Sequence, residues 1–314
     1  INIVYSGATK GWTPVSDIVS ALEPVAPPTQ RALFGYGSTS GGKVSMTNLV
    51  SSSGVVAADV TGVGTARGDL AAAGYGSDKA IFGYGRTGSN LSMTNLVNNS
   101  GVVAADTTGV GTARWGLGAA NYGTDKAIFG YGTTGSNSAL TNLVSSSGVV
   151  ASDTAGVGTA RYYTAGVSYG EDKAIFGYGY NGGNLSLTNL VSNLGVVSAD
   201  VTGVGTARGY LAAASYGTDK GIFGYGYTGS NLSMTNLVSN TGVVASDVSG
   251  VGTARRQLAA AGYGGDKAIF AYGASSGNQN MSNLVNNSGV VSADVTGVGT
   301  AREATAAAGY SISA

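Results

Sequence analysis

From residue 31 onward, short apolar runs alternate with glycine-rich polar turns, and the same order of runs returns about every 47 residues. In the repeat that begins at Arg208, Leu211-Ala-Ala-Ala-Ser-Tyr216 is an apolar run closed by the turn residues Gly217-Thr-Asp219. Lys220 to Tyr225 is a second run, closed by Gly226-Tyr-Thr-Gly229, and Leu232 to Val238 is a third, followed by Ser239-Asn-Thr-Gly242. Val243 to Asp247 reads as a fourth, leading into the next repeat. Runs of this length, each bounded by turn chemistry, predict a four-stranded antiparallel meander. No stretch carries a helical period over a useful length.

Two phrases mark the period. Phe-Gly-Tyr-Gly begins at Phe34 and returns, in places with one residue exchanged, at Phe82, Phe129, Phe176, Phe223 and Phe270, 48 residues apart once and 47 thereafter. Gly-Thr-Ala-Arg ends at Arg67, Arg114, Arg161, Arg208, Arg255 and Arg302. A fixed period in this range means that each unit must bury its faces against its neighbours. Four strands per unit predict an all-β, six-bladed β-propeller over residues 31–314, with residues 1–30 as an N-terminal extension. A β-solenoid is the alternative, but its coils are usually shorter. The first Phe-Gly-Tyr-Gly has no Leu-Ala-Ala-Ala run before it, whereas Ala304 to Tyr310 is such a run left over after Arg302. The C-terminal strand is therefore expected to complete the first blade and close the ring.

Arg-x-x-Leu-Ala-Ala-Ala, an apolar strand ending in glycines around Tyr, then Asn-Leu-Val and a turn before Ala-Arg, resembles a kelch-type repeat over roughly residues 31–310. Where kelch blades carry adjacent glycines and a Trp, this chain has Gly-Tyr-Gly and Val-Val. Gly11-Trp-Thr-Pro-Val-Ser-Asp17 resembles segments of bacteriophage appendage proteins such as tail and head fibres. That resemblance implies a virion or extracellular setting, with residues 1–30 joining other virion proteins. Within the extension, Ser16 to Leu22 reads as a helical turn or two, and Glu23 to Pro28 as a stiff spacer.

Composition narrows the chemistry. The chain has 54 Gly, periodic and therefore structural, while charged residues make up only 10% and the formal net charge is zero. Nucleic-acid and anionic-membrane partners call for a basic face that this balance does not provide. No apolar run reaches the length of a membrane-spanning helix, so membrane insertion is not expected. There is no His and no Cys, which removes the commonest general base and the thiol nucleophile. Neither a catalytic residue, a metal nor a cofactor is expected. Gly83-Tyr-Gly85-Arg-Thr-Gly88 has dinucleotide-binding spacing, but the spacing recurs in other repeats and leads into a strand, not the helix that fingerprint needs.

The acids are mostly periodic too. Asp59, Asp106, Asp153, Asp200, Asp247 and Asp294 occupy one position of the repeat, eight residues before Arg67, Arg114, Arg161, Arg208, Arg255 and Arg302. They are expected to form structural Asp–Arg pairs within or between blades, because an active site needs one asymmetric constellation.

Identity is relaxed at two places. After the recurring Arg come Gly68-Asp69, Trp115-Gly116, Tyr162-Tyr163, Gly209-Tyr210, Arg256-Gln257 and Glu303-Ala304; after Gly-Tyr-Gly or its equivalent come Ser38, Arg86, Thr133, Tyr180, Tyr227 and Ala274. In a meander both links emerge at the same end of the blade, with the Asp-Lys turns at the other. Trp115, Tyr162, Tyr163, Tyr180, Tyr210, Tyr227, Arg86, Arg256 and Gln257 are the expected ligand-binding residues, being types that interfaces favour. The expected function is a non-enzymatic virion appendage or decoration protein whose propeller face recognises a host-surface glycan or protein. A secreted lectin is the alternative, and a propeller glycosidase the third reading.

Overall fold

The computed structural model describes residues 3–5, 12–14 and 30–312. Strands β1 (Ile3–Tyr5) and β2 (Trp12–Pro14) pair antiparallel with each other. The expected helical turn at 16–22 and the spacer at 23–28 lie outside the described residues, as does most of the 11–17 motif.

The rest is all-β, with no helix among the described residues. Six antiparallel sheets follow one another, each of three strands. The first combines β3 (Gln30–Thr39) and β4 (Gly42–Val50) with the last strand of the chain, β20 (Ala306–Ser311). The second holds β5 (Ala71–Tyr75), β6 (Lys79–Gly83) and β7 (Thr94–Val97), and the third β8 (Gly118–Tyr122), β9 (Lys126–Gly130) and β10 (Thr141–Val144). The fourth holds β11 (Ala165–Tyr169), β12 (Lys173–Tyr180) and β13 (Asn184–Val191). The fifth holds β14 (Ala212–Tyr216), β15 (Lys220–Tyr227) and β16 (Asn231–Val238), and the sixth β17 (Ala259–Tyr263), β18 (Lys267–Ala271) and β19 (Ser282–Val285). The arrangement is a propeller-like tandem repeat.

There is no single core. Six apolar clusters lie between consecutive sheets, one per junction. Alternation on the middle strand explains this: Phe82 packs with Leu33 and Tyr36 of the first sheet, whereas Ile81 joins Leu117 and Phe129 of the third. The middle strand is covered on both faces, so it reads as an unbroken apolar run, Ala80-Ile81-Phe82, all fully buried. The cluster of Phe34 and Val50 with Ile269 and Tyr272 joins the sixth sheet to the first. The innermost strands β5, β8, β11, β14, β17 and β20 each touch the next, and β20 touches β5. Their Ala and Gly content follows from six strands converging on one axis.

The expected four-stranded sheets are corrected to three, and none closes on itself. The run Val243 to Asp247 makes only isolated bridges, Val238 with Val244 and Thr235 with Val248. Between those bridges one backbone bond remains, Ala245 N to Leu237 O at 2.8 Å, and the buried Asn236 side chain supplies the rest, donating from Nδ2 to Ala245 O at 3.0 Å and to Asp247 Oδ1 at 2.9 Å. Val243 is 66% exposed while Val244 is buried in the junction cluster, so this segment buries a single valine and not a strand's full apolar face.

The pairing of β20 with β3 runs from Ala306 opposite Gly35 to Ser311 opposite Gln30. Deleting residues 303–314 removes one strand of the axis and bares the β3 edge. The expected result is a loss of at least about 3 kcal/mol, the scale of a single core truncation. Urea unfolding of the deletion variant is the measurement, and a midpoint equal to that of the full chain contradicts this account.

Candidate functional site

The site stands on a frame made by the recurring Arg. Each of the six is fully buried. Arg67 donates from Nε to Tyr84 O (2.8 Å), from Nη1 to Thr65 O (3.1 Å) and from Nη2 to Asn95 Oδ1 (2.7 Å). Its guanidinium carbon lies 4.4 Å from the centroid of the Tyr36 ring. One side chain thus fastens the tyrosine of the first sheet to the backbone and Asn of the second. The other five repeat the arrangement, except that Arg255 Nε has no partner.

The ion pairs differ in partner from the expected ones. Arg67 pairs with Asp106 at 3.8 Å, and likewise Arg114 with Asp153, Arg161 with Asp200, Arg208 with Asp247, Arg255 with Asp294 and Arg302 with Asp59. The Arg eight residues after an Asp belongs to the link leaving that sheet, so it reaches forward to the next one. The Asp is held in place by its own sheet's Asn: Asn95 Nδ2 donates to Asp106 Oδ1 at 2.9 Å, and Thr65 donates to the same carboxylate from backbone and hydroxyl. Burial pulls the Asp106 carboxyl upward, but the hydrogen bonds from Thr65 and Asn95 outweigh it and leave the group below the usual range.

The tyrosines of this frame sit at left-handed φ, from 61° at Tyr36 to 66° at Tyr131. That conformation costs roughly 1 kcal/mol for a non-glycine residue and makes a bulge that drives the ring into the next sheet. There Tyr36 meets Phe82 edge-to-face at 5.1 Å. A Cβ at Gly35 would stand 2.7 Å from Phe82, and one at Gly37 2.6 Å from Glu303 O, which explains Gly on either side of the Tyr.

Above this frame, the two variable sets meet. Isolated bridges pair Ser38 with Glu303, Gly68 with Arg86, Trp115 with Thr133, Tyr162 with Tyr180, Gly209 with Tyr227 and Arg256 with Ala274. The second residue of each link forms a ring of backbone hydrogen bonds around the axis. Asp69 N donates to Ala304 O, Ala304 N to Gln257 O, Gln257 N to Tyr210 O, Tyr210 N to Tyr163 O, Tyr163 N to Gly116 O and Gly116 N to Asp69 O, at 2.7–3.2 Å. All six have left-handed φ, between 52° and 66°. Only main-chain atoms make the ring, so the side chains on it are free to differ.

The aromatic residues form one continuous group. Trp115 contacts the rings of Tyr162 and Tyr163, Tyr162 contacts Tyr180, and Tyr163 stacks on Tyr210 with centroids 3.6 Å apart. Tyr210 in turn meets Tyr227. Arg86 lies 3.6 Å over Trp115 and donates from Nε to Asp69 Oδ2 at 2.8 Å. Gln257 donates past Ala304 to Asp69 Oδ1 at 3.1 Å, and Arg256 lies over Tyr227. Burial pushes the Tyr163 hydroxyl far above the ordinary tyrosine range, with the Asp69 charge adding to it.

Six of the nine residues expected to bind ligand, Arg86, Tyr163, Tyr210, Tyr227, Arg256 and Gln257, line a cavity of about 440 Å³, while Trp115, Tyr162 and Tyr180 join it only through their ring contacts with Tyr163 and with one another. Tyr163 and Tyr210 spend ring faces on each other, so they wall the cavity more than they offer free platforms. Asp69, 6% exposed, was absent from the expected set although it occupies a variable position. Lys43, Ser38 and Glu303 also line the cavity and were not in that set. A signal for Lys43 was present: the equivalent position is Asn90, Asn137, Asn184, Asn231 and Asn278 in the other repeats.

No known protein family matches the chain, and no curated protein does.

Two outcomes follow from the frame. Replacing Arg161 by Ala strands Tyr178 O and Asn189 Oδ1 in a buried junction. The expected cost is about 3 kcal/mol, read as a lower thermal midpoint, with ligand binding by the surviving folded protein unchanged. Unchanged stability with lost binding would place the Arg ring at a ligand.

The second outcome is pH dependence. Burial pushes the hydroxyls of Tyr36, Tyr84, Tyr131, Tyr178, Tyr225 and Tyr272 up to about 12 from an ordinary 10.0. The unfolded chain ionises first, so the stability these rings contribute is complete below pH 10 and is lost as pH rises towards 12. Each ring accounts for up to about 2–3 kcal/mol. The six frame Asp carry the opposite sign: their contribution is present above their ordinary 3.8 and disappears as pH falls through the lowered folded value. Thermal midpoints across pH should show a plateau with both flanks falling. Tyrosinate absorbance equivalent to all 18 tyrosines appearing near pH 10 in still-folded protein would contradict the alkaline half.

Proposed function

We propose that the protein is a non-enzymatic recognition module, a six-bladed propeller of kelch-like order that presents one face to a ligand and is carried on a virion as an appendage. The observation that carries the binding part is the contrast between a sixfold-repeated frame and an asymmetric face. Aromatic, Arg, Asp and Gln side chains gather on that face, around the one 440 Å³ cavity, in a size range typical of ligand sites. Drift at exposed loop tips would scatter isolated side chains; these pack into a single group spanning the third to fifth sheets. The non-enzymatic part rests on the charges at hand. Asp69 is taken up by Arg86 and Gln257, and Tyr163 holds its proton far above neutral pH. The virion setting rests on the resemblance of residues 11–17 alone.

The test of the face is binding of the protein and of a Trp115→Ala/Tyr180→Ala double variant to a glycan array, with melting checked in parallel. These two residues belong to the aromatic group and are not members of the axial ring of backbone hydrogen bonds. The expected loss is 2 kcal/mol or more, about thirtyfold in affinity. Equal binding by equally stable proteins would mean that the face is not where the protein works. Electron microscopy of particles from the native source decides the appendage reading separately.

A further inference from the structure

The cavity on the variable face has a charge pattern of its own among the described residues. Among the described residues, every Lys and Arg except Arg31, Lys43 and Arg256 makes an ion pair within 4.0 Å. Two of those three line this one cavity. Arg86, the third cation there, is already neutralised by Asp69 at 2.8 Å.

Lys43 reaches the cavity because the repeat is broken for it. The 48-residue spacing between Phe34 and Phe82 reflects one extra residue, and that residue lies in the turn joining β3 to β4. The turn pairs Ser38 with Lys43 and Thr39 with Gly42. In other sheets the equivalent Asn tethers the neighbouring sheet: Asn90 donates to Thr134 O, and Asn278 to Ser38 O. Lys43 makes no such tether; its ammonium donates to Ser38 Oγ at 2.6 Å. Gly68 leaves the space, since a Cβ there would stand 2.8 Å from Lys43 Nζ. Arg256 lies over the Tyr227 ring, 4.8 Å from the centroid, with no side-chain hydrogen bond among the described residues. Glu303, also in the cavity, makes no ion pair among the described residues, so its carboxylate is an acceptor without a cation of its own.

Resting on the recognition reading above, we propose that this cavity binds an acidic saccharide, with Lys43 and Arg256 taking its anionic group. Glu303 accepts from sugar hydroxyls, and the Tyr227 and Tyr163 side chains wall the apolar face of the ring. Two unneutralised cations in one small cavity favour an anion, a lone carboxylate favours hydroxyl donors through charge-assisted bonds, and phenol rings favour the C–H face of a sugar. The anion on the sugar is a carboxylate or a sulfate; both satisfy the same two cations.

The test is calorimetric titration of the full chain with oligogalacturonate, with a sulfated chondroitin oligosaccharide and with a neutral maltooligosaccharide. Lys43→Gln and Arg256→Gln are measured alongside the Trp115→Ala/Tyr180→Ala variant. Neither Lys43 nor Arg256 makes an ion pair among the described residues, so both single variants are expected to melt as the parent does. The expected result is binding of one or both acidic sugars, weakening as salt rises, with each single variant at least tenfold weaker. Preference between the two acidic probes identifies the anion. Neutral sugar bound as tightly as the acidic ones, or single variants that bind as the parent does, would overturn the acidic-ligand proposal and leave the recognition face standing. Binding of acidic sugar that survives all three variants would overturn the face itself. Titration of the parent with no heat from any probe would overturn the saccharide proposal.

Discussion

A guanidinium buried between consecutive sheets holds this molecule together. A charge taken out of water is costly unless every donor finds a partner. Here the partners come from both sides of a junction: the carbonyl and Asn of one sheet, the tyrosine ring of the preceding one, and an Asp that closes the arrangement. The recurring phrases of the chain are the parts of this one device. Gly-Thr-Ala-Arg delivers the cation, Gly-Tyr-Gly delivers ring and carbonyl, and the Asn on the third strand delivers the acceptor. Because the parts belong to different sheets, no repeat satisfies its own Arg, and the sheets must assemble as a set.

The same device separates frame from face. A ring of backbone hydrogen bonds joins the second link residues around the axis, so the frame places no demand on their side chains. Gly116 and Ala304 on this ring are small, whereas Tyr163, Tyr210, Asp69 and Gln257 are larger and converge over the axis. The opening on the Ala304 side becomes the cavity bounded by Lys43 and Glu303. An asymmetric pocket has been cut into a symmetric ring by varying positions that the frame does not use.

At the outer edge the economy is different. The last segment of each repeat is fixed by the Asn side chain and two bridges instead of a full ladder, and of its two valines the first stays exposed while the second packs at a junction cluster. Val55, Val102, Val149, Val196, Val243 and Val290 all lie outside the apolar clusters. Burial in this molecule is concentrated at the junctions between sheets, and the rim carries little of it.

Periodicity along the chain determined the number of repeats, the three inner strands of each and the pairing of the C-terminal strand with the first sheet. Those features are local or depend on counting: Ala212–Tyr216, Lys220–Tyr227 and Asn231–Val238 lie almost where the apolar runs and turns put them. The two variable sets were legible as one face for the same reason, since a meander alternates its ends. Tertiary structure alone decided three other matters. The fourth run fails as a strand because a buried Asn side chain, placed by the third strand, occupies its backbone. The Arg chooses the Asp of the next sheet because its link points forward, a direction that spacing along the chain does not contain. Lys43 enters the cavity because a one-residue insertion and a glycine from the neighbouring sheet meet there, and contact between residues of different sheets is a property of packing, not of period.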